Sequence, residues 1–416
     1  MSAECFVTGG SGFIGQHLLA RLTATGHKVW VLMRTPANLE RLREQVSRLG
    51  GNPACIHAVE GDISREGLGL SEADKQRVSS ASVAFHLAAQ FSWGLTMERA
   101  REVNVQGALR VARLAASQRI RLLMVGGFML QNLCHLASIG VDNERPENTN
   151  WPSVYARAGG YEGSKLEAHF AVIRYMQEVG ADYTIVHPAT VCGHSESGHI
   201  VEGQPLAELI RNLAQGRFKA VPGSTRHWLP LVSVDYLVTM ITCAAFDPSM
   251  ANQQVLALYE HTPNLQEMLG QIAKTLNIKA PRRHVAIGLL RWLLAIPGLA
   301  SRFAISAESL NFIQTQRFDM RHSRQLELKY QLTHPDMARA LEKTVRYVNG
   351  YFDPLNPPPS GNRLGHAHAH AHAHAMTLAM LPITAYGCSS PKAAMGRKLS
   401  VASDRYRPRR IFSRCC

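Results

Sequence analysis

The chain has 416 residues, is 46% hydrophobic and carries a formal charge of +14. That apolar content excludes wholesale disorder, and no run approaches the roughly 18 apolar residues needed to span a bilayer. From Gly361 onward nine Lys/Arg face one acid, Asp404, so the tail holds +8 and the first 360 residues only +6, a balance that gives no reason to expect a nucleic-acid partner.

The opening Met1-Ser2-Ala3-Glu4 leads straight into an apolar strand, Glu4 to Thr8. No basic region or cleavage site precedes it, so a secreted or membrane-spanning protein is not expected. A glycine-rich turn and a helical pattern from Phe13 to Thr25 follow, then a strand at Lys28 to Met33 and a charged helix at Ala37 to Leu49. Further strands read at Ala54 to Val59, Ser82 to His86, Arg121 to Val125 and Tyr183 to His187, with helical patterns at Thr96 to Ser117 and Tyr161 to Val179. Strand and helix in strict turn imply parallel strands with right-handed crossovers, hence an α/β doubly wound sheet of the Rossmann type. Past residue 200 the alternation fails and the chain reads as a smaller, mainly helical cap. The expected division is a dinucleotide-binding domain over 1–200 with returns to about 245, a substrate-binding cap over 201–353, and a linker with a His-Ala and basic tail over 354–416. Within that tail, His366 to His374 alternates strictly with alanine and reads as a solvated extension or tag, not as a metal site. The eight cysteines show no CxxC spacing, and the first five lie in apolar surroundings, as expected of buried free thiols in a cytoplasmic protein.

Strand one ends in Thr8-Gly9-Gly10-Ser11-Gly12-Phe13-Ile14-Gly15. A glycine turn between a strand and a helix suits a dinucleotide: Gly9 and Gly12 let backbone approach a pyrophosphate, and Gly15 lets the helix pack on the strand. The helix N-terminus adds unpaired N–H groups and a partial positive charge. At the end of strand two, where an NAD site would place an acid, stands Arg34. A guanidinium grips a 2′-phosphate with charge-assisted bonds, so NADP(H) is the expected cofactor and NAD the secondary choice, with Arg41 or Arg43 able to share the role. Gly61-Asp62-Ile63 resembles the turn that caps adenine, and His86-Leu87-Ala88-Ala89 the small-residue turn beside the phosphates.

Tyr161 and Lys165 stand four apart, on one face of a helix. A phenol of ordinary pKa, about 10, is a poor acid–base catalyst at neutral pH, and a neighbouring ammonium favours its phenolate. Such a pair can pass a proton to a carbonyl oxygen while hydride moves at the adjacent carbon. Lys165 can also hold the nicotinamide ribose.

These motifs resemble the extended short-chain dehydrogenase/reductase family, related to the NAD-dependent epimerases and dehydratases. The likeness runs over about residues 3 to 350, through the Thr8-to-Gly15 turn, Asp62, His86 to Ala89, Asn104-Val-Gln-Gly107 and Tyr161/Lys165. It implies that Asn104 and the segment His187, Pro188, Ala189, Thr190, Val191 belong to the cofactor site, the latter meeting the nicotinamide carboxamide through its backbone. Gly61-Asp62-Ile63 with Leu68-Gly69-Leu70-Ser71 is similar to the thioester reductase and fatty acyl-CoA reductase branch. One departure stands out: the family usually carries Ser or Thr just after strand five, and here that strand ends Val125-Gly126-Gly127-Phe128. A later residue (Gln131, Asn132 and Ser138 are nearest), backbone N–H groups or an impaired enzyme are the alternatives. Phe91, Trp93, Phe128, Ser138 and Tyr155 are the expected substrate wall.

The first expectation is therefore an NADP(H)-dependent oxidoreductase acting on a mostly apolar carbonyl: an acyl thioester or derived aldehyde, or a sterol- or flavonoid-like ketone. The alternatives are a nucleotide-sugar epimerase or dehydratase holding NAD, and an NADPH-binding sensor or scaffold without turnover. The apolar run Ile287 to Ala300 is too short to span a membrane; it suits a cap helix, with weak membrane-surface contact as the other reading. The helices at 97–117 and 161–179 are of the kind that pair in a homodimer.

Overall fold

The computed structural model describes residues 2–87, 96–299 and 309–351. Six strands follow one another through the first half: β1 (Glu4–Thr8), β2 (Lys28–Met33), β3 (Ile56–Glu60), β4 (Ala81–His86), β5 (Arg121–Val125) and β6 (Tyr183–Pro188). With the later strand Gln253–Ala257 they form one seven-stranded sheet, ordered Gln253–Ala257, β6, β5, β4, β1, β2, β3. Every neighbouring pair is parallel. The order runs outward from β1 in both directions, so the chain reverses its winding between β1 and β4, and the crevice for a ligand opens there.

Alternation along β1 shows why both faces are covered. Cys5 and Val7 lie in one apolar cluster with Leu18, Leu19 and Leu22 of the helix Phe13–Ala24 and with Leu237 and Ile241 of the helix Val234–Phe246. Phe6, between them, lies in a second cluster with Val111 and Ala112 of Gln106–Ser117 and Val172 and Met176 of Gly160–Val179. A strand buried on both faces reads as continuous apolar residues, as β1 does.

The expected helix over 96–117 is broken into three segments: Met97–Ala100, one π turn at Arg101–Val105, then Gln106–Ser117. Beyond β6 the sheet still receives Val234–Phe246 and Gln253–Ala257. The other later elements stack above or beside it: Pro205–Ala214, Leu265–Leu276, Ile287–Leu294, Arg321–Tyr330 and Met337–Tyr351. They are tied to it by named bonds, Ser323 Oγ donating to Leu256 O at 2.6 Å and Tyr330 Oη to Asp247 Oδ2 at 2.6 Å. In Ile287–Leu294 only Leu290 is buried, while Leu289 and Trp292 face solvent. The cysteines differ from their expected burial. Cys5 and Cys192 are buried, Cys55 and Cys243 half-buried, and Cys134 is exposed on the short helix Leu133–Ser138. Among the described residues no helix is long and apolar enough to cross a membrane.

Candidate active site

The glycine turn closes on itself. Gly9 has φ 75°, a conformation that suits glycine, and its carbonyl accepts from Gly12 N at 3.2 Å. A Cβ on Gly15 would collide with that carbonyl and lie 2.8 Å from Gly10 Cα, so the close strand–helix packing excludes any side chain there. Among the described residues, a Cβ on Gly12 would meet only Gly9 O, at an ordinary 3.5 Å. No described neighbour requires glycine at 12, and the bare backbone there is exposed, as a ligand-facing turn would be. Gly12 caps the helix Phe13–Ala24 without a side-chain bond, leaving first-turn N–H groups and the positive dipole end available to an anion. This cradle fits a pyrophosphate. Ser11 is exposed and its carbonyl accepts from Gln16 Nε2 at 2.8 Å, while Ile14 is half-buried and Phe13 buried, its ring edge-on to His17 at 5.3 Å.

Beside the turn, Thr8 Oγ1 and His86 Nδ1 are 2.7 Å apart, and Leu87 N donates to Thr8 O at 3.1 Å. These bonds tie the carboxyl ends of β1 and β4. Burial pushes the His86 imidazole down to about 4, so it is neutral near pH 7. Ala88, Ala89, Phe91 and Trp93 lie outside the described residues. On the other side Arg34 is exposed just past β2. Asp62 is half-buried after β3; burial pushes its carboxyl up, but bonds from Ser64 and the charges of Arg34 and Arg65 outweigh this and hold it below the usual range. Ile63 is buried under Gly107. Arg43 is committed elsewhere, donating to Ile56 O at 2.7 Å and to Glu40 at 2.9 Å.

The Tyr161 helix begins at a sharp turn. Gly159, φ 85°, ends the helix Trp151–Ala158 and starts Gly160–Val179. The two helices pack so closely that a Cβ on Gly163 would lie 2.9 Å from the Tyr155 ring. Tyr155 is therefore buried against the Tyr161 helix, with the Arg101 guanidinium 5.3 Å from its ring. Burial pushes its phenol up from the ordinary range. Arg101 pairs with Glu167 through two nitrogens, at 2.8 and 2.9 Å. One turn on, Asn104 Nδ2 donates to Ser164 Oγ at 3.0 Å, and Ser164 Oγ donates to Tyr161 O at 2.8 Å. The π turn thus braces the helix that presents Tyr161 and Lys165, and Asn104 is part of that brace. Neither Arg101 nor Ser164 is marked by any sequence motif, because their partners lie 66 and 60 residues away.

Lys165 Nζ reaches the end of β5, where among the described residues it is the one atom a Cβ on Gly127 would meet, at 3.6 Å. Gly126 N donates to Val186 O at 2.9 Å and Gly127 N to His187 Nδ1 at 3.2 Å. Both glycine N–H groups are thus taken, so neither stands in for the missing hydroxyl. Because Nδ1 accepts, His187 carries its proton on Nε2, which donates to Gln254 Oε1 at 2.8 Å. Burial pushes its imidazole down to about 4. Pro188 ends β6; Ala189 N donates to Ala257 O at 3.0 Å, and Val191 lies in the short strand Thr190–Cys192. The later polar residues are engaged within the protein. Gln131 Nε2 donates to Gln254, Asn132 Oδ1 caps the helix Leu133–Ser138, and Ser138 Oγ donates to His135 O at 2.6 Å. Phe128 is buried between Phe312 and Phe318. Among the described residues no group of three or more His, Cys, Asp or Glu is arranged to hold a metal ion.

This sheet order, with the glycine cradle and the Tyr161/Lys165 helix beside it, is that of the extended short-chain dehydrogenase/reductase class. Residues 7–241 match the NAD-binding family described as Male sterility protein, and the chain belongs to that family. It is 32% identical over 249 residues to the PKS-NRPS hybrid synthetase cheA of Chaetomium globosum, a match covering 56% of this chain but 5% of the synthetase. It is 26% identical over 296 residues to the aldehyde reductase lnaA of Aspergillus flavus, covering 65% of this chain and 27% of that protein. Among solved structures, the terminal R domain from the myxalamid PKS-NRPS biosynthetic pathway superimposes with a TM-score of 0.65 at 22% identity, covering 86% of this chain and 93% of that one. These likenesses place the chain near the thioester reductase branch.

Proposed function

We propose that the chain is an NADPH-dependent reductase of a mostly apolar carbonyl substrate, an acyl thioester or the aldehyde derived from it. The observation that carries this reading is the approach of Lys165 Nζ to the end of β5, on the helix that presents Tyr161 and on the same sheet edge as the glycine cradle. The cofactor, when bound, supplies the hydride. Gly9, Gly12, Gly15 and the helix start beyond them hold its pyrophosphate; Asp62 and Ile63 border the adenine; Arg34 takes the 2′-phosphate; the backbone around Pro188 to Val191 meets the carboxamide. Tyr161 gives its hydroxyl proton to the carbonyl oxygen as the carbon is reduced, and the Lys165 ammonium stabilises the phenolate left behind. With a thioester, loss of the thiol after the first reduction gives the aldehyde, and a second cycle gives the alcohol. Support for the substrate class comes from the aldehyde reductase and synthetase relatives.

The test is loss of NADPH absorbance at 340 nm with an acyl-CoA and an aldehyde panel, in wild type and Tyr161→Phe. Turnover should fall at least about 100-fold in Tyr161→Phe, the scale of a lost general acid, with NADPH affinity kept. Arg34→Ala should weaken NADPH but not NADH. Equal turnover in wild type and Tyr161→Phe overturns the catalytic assignment, and unchanged NADPH affinity in Arg34→Ala overturns the cofactor assignment.

A further inference from the structure

Arg110, on the helix Gln106–Ser117, is buried and makes three contacts at once. Its Nη1 donates to Ile63 O at 3.3 Å, its Nη2 to Glu102 Oε1 at 2.9 Å and its Nε to Glu66 Oε1 at 3.4 Å. Both acids are exposed and reach in from solvent, where ion pairing does little to hold an arginine under the chain. The contact with the neutral carbonyl is the one that ion pairing does not explain. That oxygen belongs to the Ile63–Ser64 peptide unit, whose N–H donates to Asp62 Oδ1 at 2.9 Å. A peptide unit is planar, so holding its oxygen fixes the direction of its N–H and, through it, the Asp62 carboxylate. The rest of the turn closes on itself, Asp62 N donating to Leu68 O at 2.8 Å and Arg65 N to Asp62 O at 3.1 Å. Arg110 and the packing of Ile63 under Gly107 anchor that turn to the helix.

We infer that Arg110 is a positioning residue for the adenine end of the cofactor: through the Ile63–Ser64 peptide it aims the Asp62 carboxylate at the exocyclic amine of the base. This rests on the reading of Asp62 and Ile63 as the border of the adenine. A carboxylate accepts at both oxygens, so the bond from Ser64 leaves it able to take an amine proton as well. Arg110 acts through the peptide, not on the base. Its other arm runs to Glu102 in the π turn Arg101–Val105, whose Arg101 and Asn104 brace the Tyr161 helix. One guanidinium thus joins the adenine border to the support of the candidate catalytic pair. Its planar fork serves a carbonyl and a carboxylate together, which a lysine ammonium cannot reproduce in the same geometry.

The experiment measures binding to the full chain by calorimetry, with NADPH and with its deamino analogue, in which hypoxanthine replaces adenine and a carbonyl oxygen replaces the amine. Wild type is compared with Arg110→Met, Arg110→Lys, Glu66→Gln and Asp62→Ala. Wild type should bind NADPH about tenfold or more tighter than the analogue, the scale of one hydrogen bond to a charged acceptor. That ratio should shrink to within about twofold in Arg110→Met, take an intermediate value in Arg110→Lys and stay at the wild-type value in Glu66→Gln. Affinity for the analogue itself should hardly move in the Arg110 variants, a split that general loosening of the fold would not produce. Should Arg110→Met unfold, Arg110→Lys carries the comparison. A wild-type ratio in the folded Arg110 variants overturns the inference, as does an equal fall in Glu66→Gln. Asp62→Ala separates the two levels: a ratio common to wild type and Asp62→Ala removes the adenine reading and the inference with it, whereas a ratio lost in Asp62→Ala but kept in the Arg110 variants removes only the role of Arg110.

Discussion

Replacing Gly126 by alanine adds one methyl group at a point where the protein has no room. The methyl overlaps the His187 imidazole, whose ring is fixed by Gly127 N–H on one side and Gln254 Oε1 on the other. Overpacking of a tight core costs about 1–3 kcal/mol, and each hydrogen bond lost if the ring moves costs about 0.5–1.5 kcal/mol. The loss of backbone freedom in the unfolded chain returns about 0.4–1 kcal/mol. The net expectation is a loss of about 3 kcal/mol, or roughly 6–12 °C in thermal midpoint at about 2–4 °C per kcal/mol for large domains. Differential scanning fluorimetry of Gly126→Ala, His187→Ala and the double variant measures it. Because the imidazole is the obstacle, Gly126→Ala should cost almost nothing once His187 is already alanine, a coupling of the kind contacting residues show. Strictly additive costs, or a Gly126→Ala midpoint within 1 °C of wild type, would refute the steric argument.

Three further outcomes are expected. Burial holds His17 near 3 and His86, His187 and His199 near 4, all below their ordinary value of 6.5. These rings stay neutral in the folded state while the unfolded chain takes up protons, so their stability is intact above pH 6.5 and falls as pH drops towards 4, by roughly 2 kcal/mol each at pH 5. Urea midpoints should drop steeply between pH 7 and pH 5, and a flat profile would contradict the burial. Ser164→Ala removes the link from Asn104 to the Tyr161 carbonyl; it should cost about 1–2 kcal/mol and lower kcat more than it raises KM, measured by steady-state kinetics. Cys134 is exposed, whereas burial pushes Cys5 and Cys192 up to about 12. Iodoacetamide at pH 8 with peptide mass spectrometry should therefore label the Cys134 peptide quickly and leave the other two unmodified until the protein is unfolded.

The central strands are legible because they are apolar runs flanked by turn residues, and β1, β2, β5 and β6 lie within a residue of where composition places them. β3 begins two residues later than Ala54, because Asn52 caps a 3₁₀ turn over Pro53–Cys55. The edge strand Gln253–Ala257 has no such signature: it opens with two glutamines, and its place is set by pairing with β6. The glycine turn is legible because its constraint is local, between Gly9, Gly12 and Gly15. His187 is a different case. Its neighbourhood to the motif segment is visible in the sequence, but its hold on Gly126 and Gly127 joins residues 60 apart, and no pattern along the chain reports that.

The π turn at Arg101–Val105 carries one residue more than an α turn would. Each residue advances the helical screw by about 100°, so that extra residue sets the phase of everything upstream against everything downstream. Arg101 meets Glu167 and Asn104 meets Ser164 on successive turns of the opposite helix only in this phase. Excising a single residue here would leave the chain equally helical but rotate one half of the rod away from its partners.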